Sequence, residues 1–76
     1  MKIKDMKNVK FNNYVDFSGW NITENEVREY INNLTLNDIQ IDDYNIFRFI
    51  KYNEDVDVFI YYNAFGDLIC NIDGIY

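Results

Sequence analysis

From residue 44 to residue 75 the chain is almost unbroken β-branched and aromatic sequence, interrupted only by two short polar stretches. This pattern constrains the fold more than any other. Val, Ile, Tyr and Phe suit a pleated, half-buried surface, and links of a few residues force consecutive strands to run antiparallel. The expected strands are Tyr44 to Tyr52, Val56 to Tyr62 and Leu68 to Ile72, the last extendable to Tyr76. Asn53-Glu54-Asp55 is the expected first turn and Asn63-Ala64-Phe65-Gly66-Asp67 the second, with Gly66 able to supply a positive φ.

One helix start is written upstream. Thr23-Glu24-Asn25-Glu26 matches the capping box, in which the Thr hydroxyl and the Glu carboxylate each satisfy the other residue's backbone N–H. Ile22 and Val27 stand where a hydrophobic staple needs them. Glu24, Glu26 and Glu29 complement the positive end of the helix dipole. Val27, Tyr30, Ile31 and Leu34 then form one apolar stripe, so the spacing predicts a helix over residues 24–34. Before it, Val9, Phe11, Asn13, Val15 and Phe17 alternate with Lys10, Asn12, Tyr14 and Asp16, the period of a strand with one buried face. Leu36, Ile39 and Ile41 fit a loop, a short strand or another helical turn equally well.

The expected fold is a single α+β domain spanning residues 1–76. One helix packs on an antiparallel sheet of three to four strands, in the order β-α-β-β-β. Both faces of the meander carry apolar residues. One presents Tyr44, Ile46, Arg48, Ile50 and Tyr52, the other Asn45, Phe47, Phe49 and Lys51. On the next strand Val56, Val58, Ile60 and Tyr62 oppose Asp57, Phe59 and Tyr61. A solvated face would show more polar side chains. The second face is therefore covered by the N-terminal segment, buried in a homodimer, or open to another protein.

Side-chain chemistry narrows the function. The chain has no His and one Cys, so neither an imidazole base nor a zinc ligand set can be assembled from it. Ser18 has no base near it in sequence, the three glycines stand apart, and no EF-hand spacing occurs. No enzyme activity, cofactor or metal is expected, and Cys70 reads as a small buried hydrophobe. A lone Cys suits a reducing cytosol. There is no apolar signal-peptide core and no membrane-spanning run, so a cytoplasmic location is expected.

Charge points to the partner. The chain holds 13 Asp and Glu against 7 Lys and Arg, a net charge of −6, yet it is 18% aromatic. Lys2, Lys4, Lys7 and Lys10 lie in the first ten residues, so the body is more acidic than the average suggests. Such a body repels nucleic acid and anionic lipid and attracts basic protein surfaces. The acidic residues fall into three groups: Glu24, Glu26 and Glu29; Asp38, Asp42 and Asp43; and Glu54, Asp55 and Asp57. Carboxylates two residues apart on a strand lie about 6.6 Å apart on one face and can imitate a row of phosphates. The codon usage implied by abundant Asn, Ile, Lys and Tyr suits a low-GC genome or one of its phages.

The expected function is that of a small acidic inhibitor from a phage or mobile element. It would block a host nucleic-acid-binding protein by mimicking nucleic acid, in the manner of an anti-CRISPR protein. The candidate partner-binding residues are Asp42, Asp43, Tyr52, Glu54, Asp55, Asp57, Tyr61, Tyr62 and Phe65. The alternatives are a homo-oligomeric structural or regulatory module, and an antitoxin or immunity protein that neutralises a basic toxin.

Overall fold

The two-residue turn after Lys51 sets the geometry of the sheet. Tyr52 and Asn53 both take left-handed backbone, with φ of 55° and 60°. That is the type I′ pattern, whose twist matches the twist of the strands it joins. In the computed structural model, which describes residues 1–39 and 45–73, the turn therefore closes earlier than the sequence suggested. Glu54 and Asp55 belong to the next strand rather than to the turn. The strands are β1 (Val9–Asn13), β2 (Asn45–Lys51), β3 (Glu54–Tyr62) and β4 (Leu68–Asp73). Helix α1 (Glu24–Asn32) lies between β1 and β2, and short 3-10 turns occupy Ile3–Asp5 and Leu36–Asp38.

The order β-α-β-β-β and the α+β class are as the sequence indicates. The sheet order is β1-β4-β3-β2. β2, β3 and β4 form the antiparallel meander. β1 lies parallel to β4, with Val9 opposite Leu68 and Asn13 opposite Ile72, so the sheet is mixed. Bonds from Leu68 N–H to the Asn8 carbonyl and from Tyr14 N–H to the Ile72 carbonyl, both 2.9 Å, extend that pairing. β1 is shorter than its alternation suggested because the chain leaves the sheet after Asn13. The side chain of Asn13 then accepts from the Val15 N–H, an Asx turn.

Helix α1 forms as its start signal requires. The Thr23 oxygen accepts from the Glu26 N–H at 3.3 Å, and Glu26 Oε2 accepts from the Thr23 N–H at 2.9 Å. The helix ends near Asn33, whose N–H and side-chain amide both bond the Glu29 carbonyl. Thr23→Ala removes the hydroxyl half of the cap. It is expected to lower the unfolding free energy by about 1 kcal/mol, seen as a lower urea midpoint at unchanged slope. An unchanged midpoint would mean that the box contributes nothing.

Val27 and Ile31 of α1 pack on Val56, Val58, Ile60, Leu68, Cys70 and Ile72 of the sheet, joined by Ile3, Val15, Ile22 and Ile39. Edge contacts anchor the helix across the sheet. Tyr30 meets Phe49 at 5.4 Å between ring centroids. The Arg28 guanidinium lies 4.6 Å from the centre of the Phe11 ring. Cys70 is fully buried, and burial pushes its thiol up to about 12, which keeps it protonated and unreactive. No helix among the described residues is long and apolar enough to cross a membrane.

Candidate binding surface at the acidic end of the sheet

Strand parity assigns every side chain of the meander to a face. Phe47, Val56, Val58, Ile60, Cys70 and Ile72 face α1. On the opposite face, Ile46 lies across from Phe59, Arg48 from Asp57, and Ile50 from Asp55. The next strand adds Asn71 opposite Phe59, Ile69 opposite Tyr61, and Asp73 opposite Asp57. On this face Ile69 is buried and Phe59 and Tyr61 are half-buried, so exposure is concentrated on the edge strand β2. The N-terminal segment does not close it, because β1 joins the edge of the sheet instead of lying across it. Ile46 and Ile50 on the edge strand β2 are left 61% and 64% exposed.

The carboxylates are not spread evenly along the sheet. β3 begins where β2, β4 and β1 end, so Glu54, Asp55, Asp57 and Asp73 collect at one end. α1 starts at that end too. Its Glu24 accepts from the Asn13 amide at 2.6 Å, and its Glu26 pairs with the Lys51 ammonium at 2.6 Å. The segment leading into α1 is tied down there as Asn21 N–H donates to Glu54 Oε1 at 2.8 Å. Lys7 and Lys10 lie toward the other end, where Lys10 pairs with Asp67 at 3.2 Å.

The cations at the acidic end are already engaged. Arg48 bonds Asp57 at 2.9 Å, Arg28 pairs with Glu24 at 3.5 Å, and Lys51 pairs with Glu26. The Asp57 carboxylate holds the Arg48 guanidinium above its ordinary pKa, and the Glu26 carboxylate does the same for the Lys51 ammonium. In return Lys51, followed by the Thr23 N–H, holds Glu26 below the usual carboxylate range. Among the described residues no ion pair or hydrogen bond engages the carboxylates of Asp55 and Asp73, although the Asp55 charge also helps hold the Arg48 guanidinium above its ordinary pKa.

The candidate residues separate on this surface. Asp55, Asp57 and Tyr61 share the outer face, and Asn71 Nδ2 donates to the Tyr61 hydroxyl at 3.4 Å. Tyr52 tips the β2–β3 turn at the acidic end and is 62% exposed. Glu54 lies beside it. Tyr62 has the opposite parity and packs against the core, so it cannot contribute its ring to the outer face. Phe65 is 89% exposed but sits in the β3–β4 loop, at the far end from the acidic group. Asp42 and Asp43 lie outside the described residues. Ile50 and Asp73 were missing from the candidates and belong with Asp55 and Asp57. The parity of residues 46, 48 and 50 carried the signal for Ile50. Nothing local marked Asp73, whose position depends on strand pairing.

Comparison with family models, with curated proteins and with solved structures finds no match for this chain. Among the described residues no group of three or more His, Cys, Asp or Glu side chains is placed to hold a metal ion. What the arrangement offers is a negatively charged, partly apolar end displaying Ile50 and Tyr52.

Hydrogen bonds to carboxylates also make stability depend on pH. The Ser18 N–H lowers the pKa of Asp16, the Thr35 N–H that of Asp38, and the Asn63 amide with Lys10 that of Asp67, beside the lowered Glu26. A carboxylate depressed in the folded state stabilises the fold above its unfolded pKa and loses that contribution as pH falls through its folded pKa. The melting temperature is therefore expected to decline below about pH 4. For Lys51, whose pKa is raised, the contribution holds at neutral pH and is lost as pH rises through the folded value. Melts across pH 2 to 7 check the acid limb, and a melting temperature that rises on acidification contradicts it.

Proposed function

We propose that this chain is a non-catalytic binding protein that inhibits a basic, nucleic-acid-handling partner by setting the acidic end of its sheet in the partner's positively charged groove. The observation that carries this reading is the convergence of Glu54, Asp55, Asp57 and Asp73 on one end of the sheet, beside the exposed Ile50 and Tyr52. Opposed charge steers the encounter and fixes register. The exposed aliphatic and aromatic groups supply area that can be desolvated on contact. The outer face extends the same surface through the half-buried Phe59 and Tyr61. On this reading the protein works in the cytoplasm of the host that holds the partner, and inhibition of the anti-CRISPR type is one form of it. It binds neither nucleic acid nor membrane directly.

The test is capture from a bacterial lysate with wild-type protein and with an Asp55→Lys/Asp73→Lys variant. The reading expects a nucleic-acid-binding protein that added DNA or RNA displaces, that high salt releases as the screening length shrinks, and that the variant fails to retain. Capture insensitive to salt, to nucleic acid and to charge reversal would defeat it.

A second reading rests on Ile46 and Ile50, which leave the edge strand β2 with an apolar stripe toward solvent. A second copy could cover that stripe and form a homodimer. Solution mass separates the readings: a dimer that persists at low micromolar concentration and dissociates on Ile46→Lys favours self-association.

A further inference from the structure

Strand β2 is an edge of the sheet. It pairs with β3, and among the described residues no backbone bond reaches its other side. The type I′ turn fixes which groups are left there. A two-residue turn closes on a pair that exchanges both hydrogen bonds, here Lys51 and Glu54, and bonded pairs alternate from that point. Asn45, Phe47, Phe49 and Lys51 therefore turn their N–H and C=O groups to β3, while Ile46, Arg48 and Ile50 turn theirs to the open side. Such an edge is a template for another strand unless a charge guards it. The charge at its middle, Arg48, is already bonded to Asp57 at 2.9 Å.

The sequence of the edge says which strand fits. Ile46-Phe47-Arg48-Phe49-Ile50 reads the same in both directions. A two-fold contact sets residue i against j and j against i. An antiparallel copy centred on Arg48 thus sets each isoleucine against isoleucine and each phenylalanine against phenylalanine. No other register pairs both isoleucines with isoleucine. This one also gives every outward N–H and C=O of Ile46, Arg48 and Ile50 a partner. It covers the exposed Ile46 and Ile50 on the outer face and the half-buried Phe47 and Phe49 on the helix side. Charge agrees. β2 carries no carboxylate, and the two central arginines meet with Asp57 balancing each of them. Antiparallel pairing sends the two acidic ends to opposite ends of the joined sheet, whereas parallel pairing would set them side by side.

We propose that two copies of this chain pair through β2, antiparallel about Arg48, and join their four-stranded sheets into one. This rests on the second reading above, self-association, and specifies its strand, axis and register. Asp55 and Asp73 lie on β3 and β4, so the contact leaves them open.

Sedimentation of the full chain from about 1 μM to about 1 mM tests it, with Ile46→Glu and Ile50→Lys as single variants. Wild-type protein is expected to reach dimer mass within that range. Each variant sets a charge against a partner isoleucine and is expected to raise the dissociation constant about tenfold or more. Mixed in equal amounts, the two variants should recover the dimer, because the glutamate of one then faces the lysine of the other. Amide exchange of wild-type protein gives a readout that needs no variant to fold: exchange at Ile46, Arg48 and Ile50 should slow as concentration rises. In a wild-type protein that dimerises, a dimer that persists in both variants, monomeric variants that do not recover on mixing, or exchange at these amides that ignores concentration would overturn the β2 assignment while leaving self-association standing. Wild-type protein that stays monomeric throughout would overturn the assignment together with the reading beneath it.

Discussion

Ile60→Ala is expected to lower the unfolding free energy by about 2–5 kcal/mol, one of the largest effects a single substitution can have here. Ile60 is fully buried on the central strand β3, between Asn45 of β2 and Cys70 of β4. It faces the layer formed by α1 and the N-terminal segments. Truncation leaves a cavity flanked by two paired strands, whose ladders limit how far the backbone can collapse into it. A chain of 76 residues has a total stability of about 4–11 kcal/mol at ordinary values per residue. No disulfide reinforces it, because its one Cys is buried and free. Urea unfolding followed by far-UV circular dichroism should show a much lower midpoint, or an already sloping native baseline at room temperature. Ile46→Ala on the outer face is the control. Ile46 is mostly exposed in the monomer, so its truncation should cost little. Equal losses at the two positions would contradict the assignment of inner and outer faces.

That assignment was within reach of the sequence because it depends on local period. Val56, Val58 and Ile60 against Asp57, Phe59 and Tyr61 is an alternation that any strand imposes. The capping box at Thr23 and the loop at Gly66 were legible for the same reason: their chemistry is complete within a few residues. The β2–β3 turn misled because Asn53-Glu54-Asp55 is the more polar triplet. The backbone instead used Tyr52-Asn53, and residue preference at position 52 argued against that choice. Parallel pairing of β1 with β4 was not legible at all. It joins residues about sixty positions apart, and the alternation of β1 suits a parallel or an antiparallel neighbour equally.

The acidic site was legible only in part, for a related physical reason. Sequence grouped Glu24 with Glu29, and Glu54 with Asp57, because those residues are close along the chain. In the fold, the start of α1, the start of β3 and the end of β4 meet at one end. Carboxylates from three separate stretches then join, and Asp73 enters the group through its pairing with Asp57. The same topology sends Phe65 to the other end, away from Tyr61, while the strand parity that sets Tyr62 with Val56, Val58 and Ile60 turns its ring inward.

The Asp55→Lys/Asp73→Lys variant is expected to lose about two orders of magnitude in affinity for the basic partner, and it should do so without unfolding. Close charge pairs across an interface couple with about 1.5 kcal/mol or more each, so losing two corresponds to roughly a hundredfold or more. These two positions are the clean ones to change. Asp57 holds Arg48, and Glu54 holds the Asn21 N–H, so reversal at either would disturb the fold as well as the surface. Asp73 instead lies directly across the strand pair from Asp57, a like-charge opposition that weakens a sheet. Lysine at that position would remove the like-charge opposition, but Arg48 already balances Asp57 and Asp55 also acts on Arg48, so the variant should melt close to the wild-type temperature. Lost binding with retained stability is what a recognition surface predicts, because neither the Asp55 nor the Asp73 carboxylate is hydrogen-bonded or ion-paired within the described fold. If the variant instead melts well below wild type, the Asp57–Asp73 pair serves the fold. If it binds the partner undiminished, the acidic end is not where the partner sits.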